Sequence, residues 1–191
     1  EFKIKLKIWF TKIIKNLLNE VTPQLIESNS QIEAGKESYH NGNFEIRGSG
    51  LKVIIIGSYC SIGKNVKFIV KNHNTNFASI QYSFYKKYFN SLPYDVNGKT
   101  RASIEIGNDV WVGDNVILLP NIKIGHGCVI GAGSIVTKSI KPYTIVAGTP
   151  AKKIKMRFER ETIDMLLDSN WWNWSEKMIK ENKDFFFKKI N

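Results

Sequence analysis

The sequence predicts a mainly β protein built as a triangular parallel β-helix, and two observations carry that prediction. One is an aliphatic ladder of period six: Ile106, Val112, Leu118, Ile124, Ile130 and Val136. The other is a companion ladder four residues further on: Val110, Val116, Ile122, Cys128, Ser134 and Ile140. An amphipathic helix needs apolar spacings of three and four, and a half-buried strand needs two. A period of six fits neither. It fits a coil of three short strands and three turns, with the ladders stacked inside and backbone hydrogen bonds running between coils. Unbroken phase over successive hexads argues against a β-sandwich with chance spacing.

Each element then follows in order. Gly107, Gly113, Gly125 and Gly131 come directly after members of the first ladder, at corners where a Cβ is expected to be costly. The same phase occurs upstream at Ile56, Ile62 and Phe68, with Gly57 and Gly63 beside the first two and Cys60 and Val66 on the companion ladder. Between Phe68 and Ile106 the phase is lost. Residues 74–99, rich in aromatic and polar side chains, read as an excursion, the kind of long loop in which function concentrates. The repeat resumes at Thr100 and Ile104, and Pro142 ends it. The expected divisions are an N-terminal amphipathic helix at 1–20, the β-helix at 30–146 and a helical cap at 147–191. Within 2–18, Phe2, Leu6, Trp9, Phe10, Ile13, Ile14, Leu17 and Leu18 share one face, with lysines mostly elsewhere. That pattern suits either a basic membrane-surface helix or a helix packed on the solenoid or a second copy. In the cap, residues 159–168 and 175–188 read as helices. The Trp171-Trp172-Asn173-Trp174 segment between them reads as a packing plug.

Composition sets the outer limits. The 191 residues carry 28 Lys+Arg against 17 Asp+Glu, a formal net charge of +11. A hydrophobic fraction of 42%, with 12% aromatic, supplies a core and excludes general disorder. The length suits one domain with appendages. No apolar run reaches the ~20 residues of a membrane-spanning helix. Cys60 and Cys128 cannot staple a disulfide scaffold or fill a four-cysteine zinc site. A reducing, cytoplasmic setting is expected, peripheral to the inner membrane face if the N-terminal helix binds lipid. The sequence begins at Glu1, which leaves a removed leader open. The basic excess predicts an anionic partner; nucleic acid is disfavoured because the lysines are dispersed and no recognition motif accompanies them.

Several segments outside the bare repeat are more specific. They are Gly35-Lys36-Glu37-Ser38-Tyr39, Asn72-His73 before the excursion, Ile106 to Gly113 with Trp111, Gly131 to Lys138, Gly148-Thr149-Pro150-Ala151-Lys152 with Arg157-Phe158, and the tryptophan cluster. In these, from about 34 to 174, the sequence resembles the hexapeptide-repeat acyltransferases. Within them it is similar to the xenobiotic (chloramphenicol and streptogramin) acetyltransferases and to capsule and lipopolysaccharide O-acetyltransferases. The resemblance implies a left-handed β-helix, a homotrimer, and acetyl-CoA meeting its acceptor between subunits without a metal.

By the same resemblance His73 is the catalytic histidine. The chemistry is sound independently: a hydroxyl is a poor nucleophile at neutral pH, and imidazole is the side chain that titrates nearest to it. Ala132, Thr137 and Lys138 would contact the pantetheine arm, and Lys152 and Lys155 the phosphates of CoA. Trp111 would wall the pantetheine tunnel or pack at a coil edge. Tyr39, Phe77, Tyr82 and Tyr85 are expected to bind acceptor, with Phe84 pinning the excursion on a neighbour. His126 reads as a solvated turn residue, and His40 as lining the acceptor cleft or packing. The three histidines lack the disposition of the zinc ligands in hexapeptide-repeat carbonic anhydrases. Both cysteines read as buried structural thiols.

The expected function is O-acetylation of a sugar hydroxyl, on a bacterial surface glycan (capsule, lipopolysaccharide or sialic acid) or its precursor. Antibiotic acetylation is the alternative, and Asn74-Thr75-Asn76-Phe77 departs from the more polar, basic-containing stretch of the drug-modifying members. A non-catalytic basic solenoid that binds glycan is the reading from another class.

Overall fold

The computed structural model describes residues 23–48, 50–51, 53–94 and 104–190. The expected N-terminal helix and any membrane contact through 2–18 lie outside the described residues. Three sheets form the sides of a prism. The first face holds β2 (Ile32–Ala34), β5 (Ile54–Ile56), β8 (Ile104–Ile106) and β11 (Ile122–Ile124). The second holds β1 (Gln24–Leu25), β3 (Tyr39–His40), β6 (Ser61–Ile62), β9 (Trp111–Val112), β12 (Val129–Ile130), β14 (Thr144–Ala147) and β15 (Lys152–Met156). The third holds β4 (Phe44–Arg47), β7 (Val66–Ile69), β10 (Ile117–Leu118) and β13 (Ile135–Val136). The chain visits first, second and third faces in turn, and neighbouring coils pair in parallel. This is the left-handed parallel β-helix that the resemblance implied.

Both ladders point inward. Ile62, Val66, Phe68, Val112, Val116, Leu118, Cys128 and Ile130 are completely buried, each aliphatic contributing roughly 1.5–3 kcal/mol by leaving water. Coil-to-coil hydrogen bonds such as Trp111 N–H to the Cys128 carbonyl (2.9 Å) and Gly113 N–H to the Ile130 carbonyl (2.8 Å) satisfy the backbone. Ser134 fits the same ladder because its hydroxyl donates to the Gly131 carbonyl at 2.6 Å and accepts from Gly148 N–H at 3.1 Å.

The ladder glycines serve a different purpose from the one expected. A Cβ on Gly107 would sit 2.7 Å from the backbone nitrogen of His126 on the next coil, so this position is small for close approach between coils. The left-handed corner residues come two positions later and are mostly not glycine: Asp109 (φ 55°), Asn115 (φ 58°) and Asn121 (φ 63°). Asn and Asp tolerate that conformation best after glycine. Pro142 likewise closes the six-residue phase but not the solenoid, since β14 continues the second face with Val129 opposite Ile145.

The C-terminal segment forms α2 (Arg160–Ser169), a 3₁₀ turn (Trp171–Asn173), α3 (Glu176–Glu181) and α4 (Lys183–Phe187), after α1 (Tyr82–Phe89) in the excursion. Helix α2 buries Ile163 and Leu166 against Tyr143 and ends where Asn170 turns left-handed. The segment is clipped to the edge between the first and second faces. Lys36 Nζ donates to the Trp174 carbonyl (2.9 Å), and Arg157 bridges the Asp109 carboxylate (3.1 Å) and the Gly127 carbonyl (2.8 Å).

Candidate active site

His73 follows β7 by four residues, where the chain leaves the edge between the third and first faces. Its ring is exposed, and Nδ1 lies 2.9 Å from the Ile80 carbonyl. A carbonyl can only accept, so Nδ1 carries the hydrogen and, in the neutral ring, Nε2 presents its lone pair. The excursion returns to His73 because Ser79 and Gln81 form a turn before α1: Ser79 N–H donates to the Tyr85 hydroxyl (3.1 Å) and Gln81 N–H to Ser79 Oγ (3.2 Å). Phe77 stacks on Tyr94 at 5.3 Å, while Tyr82 is exposed. Among the described residues, the ring contacts of Phe84 are with Tyr85, Tyr88 and Phe89 of its own helix.

Thr137 and Lys138 occupy the same edge as His73. Val136 and Phe68 both pair with Leu118, so Thr137 and Ile69 stand in one column, two coils apart. Ala132 is at the other end of the third face, exposed beside Gly113, where a Cβ would press 2.6 Å from the Ala132 nitrogen.

Tyr39, Trp111 and Lys155 belong to another group. The register Tyr39–Ser61–Trp111–Val129–Ile145–Lys155 makes them one row across the second face. At about 4.8 Å per strand step, Trp111 stands roughly 10 Å from Tyr39 and 14 Å from Lys155. The indole of Trp111 is 58% exposed, so it is presented to solvent and not absorbed into the coil. In a three-sided prism this face lies across the core from the edge that carries His73. One chain therefore keeps His73 apart from Tyr39 and Trp111.

At the C-terminal end of the coil Lys138, Lys141 and Lys153 rim a hollow of about 220 Å³ floored by Val136, Ile140, Val146 and Met156. A larger cleft of about 810 Å³ adjoins it through Lys141 and Met156 and includes Lys155 and Arg160. Lys152 is exposed on β15 nearby. Lys138, Lys141, Lys152, Lys153 and Lys155 have no ion pair among the described residues. Lys141 and Lys153 were not singled out from sequence, since only the closing of β15 back on β14 brings them to the rim. Exposed Thr137 and Lys138 on the edge that carries His73, exposed Ala132 across the third face from them, and unpaired ammonium groups at the end of the coil are of the kind that the arm and phosphates of CoA require.

The remaining candidates are structural. His126 is half-buried, not solvated: it stacks on Trp172 at 4.6 Å and its Nδ1 accepts Asn108 N–H at 2.9 Å. Burial lowers its pKa. His40 reaches the Gly42 carbonyl and meets the edge of Phe44. Burial pushes the Cys60 thiol up to about 11 and raises that of Cys128. No group of three or more His, Cys, Asp or Glu side chains is placed to hold a metal among the described residues.

Comparison with known proteins agrees with the fold. The family model described as "Bacterial transferase hexapeptide (six repeats)" matches residues 103–138. A chloramphenicol acetyltransferase of Klebsiella aerogenes is 40% identical over 168 residues, covering 80% of each chain. A galactoside acetyltransferase solved in complex with coenzyme A superposes with a TM-score of 0.53 at 33% identity, covering 70% of this chain and 58% of that one. A Vibrio cholerae hexapeptide-repeat acetyltransferase solved with acetyl-CoA gives 0.52 at 26% identity, with 68% and 62% covered. The stacked hexads and this likeness over four fifths of the chain place the protein in the hexapeptide-repeat acetyltransferase family, as an acetyl-CoA-dependent enzyme.

Proposed function

We propose that the protein transfers the acetyl group of acetyl-CoA directly to a hydroxyl of a small acceptor, with His73 as general base and a neighbouring copy completing the site. The observation that carries this reading is the His73–Ile80 hydrogen bond. It leaves Nε2 free to take the acceptor's proton as the oxygen attacks, a contribution of typically ~10²–10⁴-fold. Acetyl-CoA supplies an already activated thioester, so the enzyme needs no nucleophile of its own. The buried thiols of Cys60 and Cys128 are unsuited to that role in any case. Ala132, Thr137 and Lys138 would line the pantetheine arm, with Lys152 and Lys155 at the phosphates. The separation of His73 from Trp111 and Tyr39 supports a homotrimer in which one subunit's edge faces the next subunit's second face.

The acceptor we favour is a hydroxylated antibiotic of the chloramphenicol class, held by Phe77, Tyr82 and Tyr39. The 40% identity to a chloramphenicol acetyltransferase across 80% of both chains supports it and reverses the order of the two acceptor readings taken from sequence. A sugar acceptor remains the second reading, supported by the galactoside acetyltransferase likeness and by the net charge of +11, which suits an anionic glycan. Use of acetyl-CoA fits reaction in the cytoplasm. Among the described residues no helix is long and apolar enough to cross a membrane.

The deciding experiment is release of free CoA from acetyl-CoA with chloramphenicol, simple galactosides, sialic acids and oligosaccharides as acceptors. Turnover of chloramphenicol is expected. Turnover of sugars alone would replace the antibiotic reading, and His73→Ala at wild-type rate would end the general-base mechanism.

A further inference from the structure

We infer that Tyr85 is a positioning residue for His73, acting through Ser79 and the Ile80–Gln81 peptide; this rests on His73 being the general base. The Ile80 carbonyl that receives His73 Nδ1 and the Gln81 N–H that donates to Ser79 Oγ belong to one planar peptide unit. In a trans peptide these two groups point in opposite directions. Fixing the N–H on Ser79 therefore aims the carbonyl at the imidazole. Ser79 is itself held by its own N–H, which donates to the Tyr85 hydroxyl at 3.1 Å. Gln81 is the N-cap of α1 and lacks a side-chain cap bond, but its carbonyl accepts Phe84 N–H at 3.2 Å. Helix and turn are thus one hydrogen-bonded unit with the imidazole at its end.

The alternative use of Tyr85, as a stacking face for acceptor, places its hydroxyl in the wrong company. The hydroxyl is engaged by backbone, and the ring contacts Phe84 at 5.3 Å and Phe89 at 6.3 Å on the same helix. Tyr82, one turn earlier and 46% exposed, is the freer aromatic. Tyr85 holds the tautomer of the base, and the surrounding aromatics hold Tyr85.

The test pairs kinetics with a direct measurement of the tautomer. Tyr85→Phe deletes only the hydroxyl, and Ser79→Ala only the second link; no residue of α1 is buried and Ser79 lies in the excursion outside the coil, so neither change threatens the coil. With chloramphenicol as acceptor, each variant is expected to lower kcat about tenfold, with KM for acceptor and acetyl-CoA moving less than about twofold. With histidine labelled in both ring nitrogens, the wild-type His73 ¹⁵N shifts should show hydrogen on Nδ1, and both variants a mixture. The three histidines are assigned by substitution. An unchanged kcat with an unmixed tautomer overturns the inference. So does a rise confined to acceptor KM, which would return Tyr85 to the acceptor surface. Full activity of His73→Ala would remove the base itself, an outcome that the tautomer signal of Tyr85→Phe does not depend on.

Discussion

In the coils, Val112, Leu118 and Ile130 are completely buried, each with the same kind of residue above and below. In α1, five of eight residues are aromatic and none is buried; Tyr88 is 61% and Phe89 62% exposed. The two regions use apolar side chains for different ends. The coil spends them on its own stability, repeating one packing solution at every turn. The excursion keeps them outside on the segment that carries His73, and in the proposed homotrimer they would meet a neighbouring copy. A stable scaffold thus carries a weakly packed arm, which is the arrangement expected where function needs a precise side chain on a low-stability segment.

Substitutions that separate rate from stability test this contrast most severely. His73→Ala is expected to lower kcat by ~10²–10⁴-fold while leaving the thermal midpoint unchanged, because the ring is exposed; a large drop in midpoint would show the excursion packing like the coil. Leu118→Ala should do the reverse, costing about 2–5 kcal/mol in denaturant unfolding by leaving a cavity between three coils. Gly107→Ala should cost about 1–3 kcal/mol by overpacking, since the new methyl meets the His126 backbone; a neutral result would mean that the coils can move apart. Phe89→Ala should act on assembly, with subunits separating at higher protein concentration than wild type in sedimentation, and little change in the coil's unfolding.

The smallest effect concerns the clip between coil and cap. Burial holds the His126 imidazole below its ordinary value of 6.5, so the folded state favours the neutral ring. Stability from this group is complete above 6.5 and declines as pH falls through the lower, folded value. The neutral ring is also what Asn108 N–H requires, since protonation would set one hydrogen against another at Nδ1. Thermal midpoints measured from pH 7.5 downward should fall more steeply for wild type than for His126→Gln, with the tryptophan fluorescence shift reporting loss of the Trp172 stack.

The hexad phase, both inward ladders and the break at Phe68 were legible in residue spacing alone, because each coil repeats the same contacts with its neighbours and the pattern needs no distant information. The family pattern marked His73, but only the folded excursion brings its hydrogen-bonded partners to it: Ile80, Ser79 and Tyr85 carry no periodic signal, and their contact depends on a turn that closes over seven residues. His126 was misread for the same reason. Its place at a hexad corner suggests solvent, yet Trp172, 46 positions later, covers it. Local repetition determined the coil. Which side chains share an edge, which lie across the core, and which lysines gather at the open end depend on contacts between segments far apart in the chain, and those exist only once the coils have stacked.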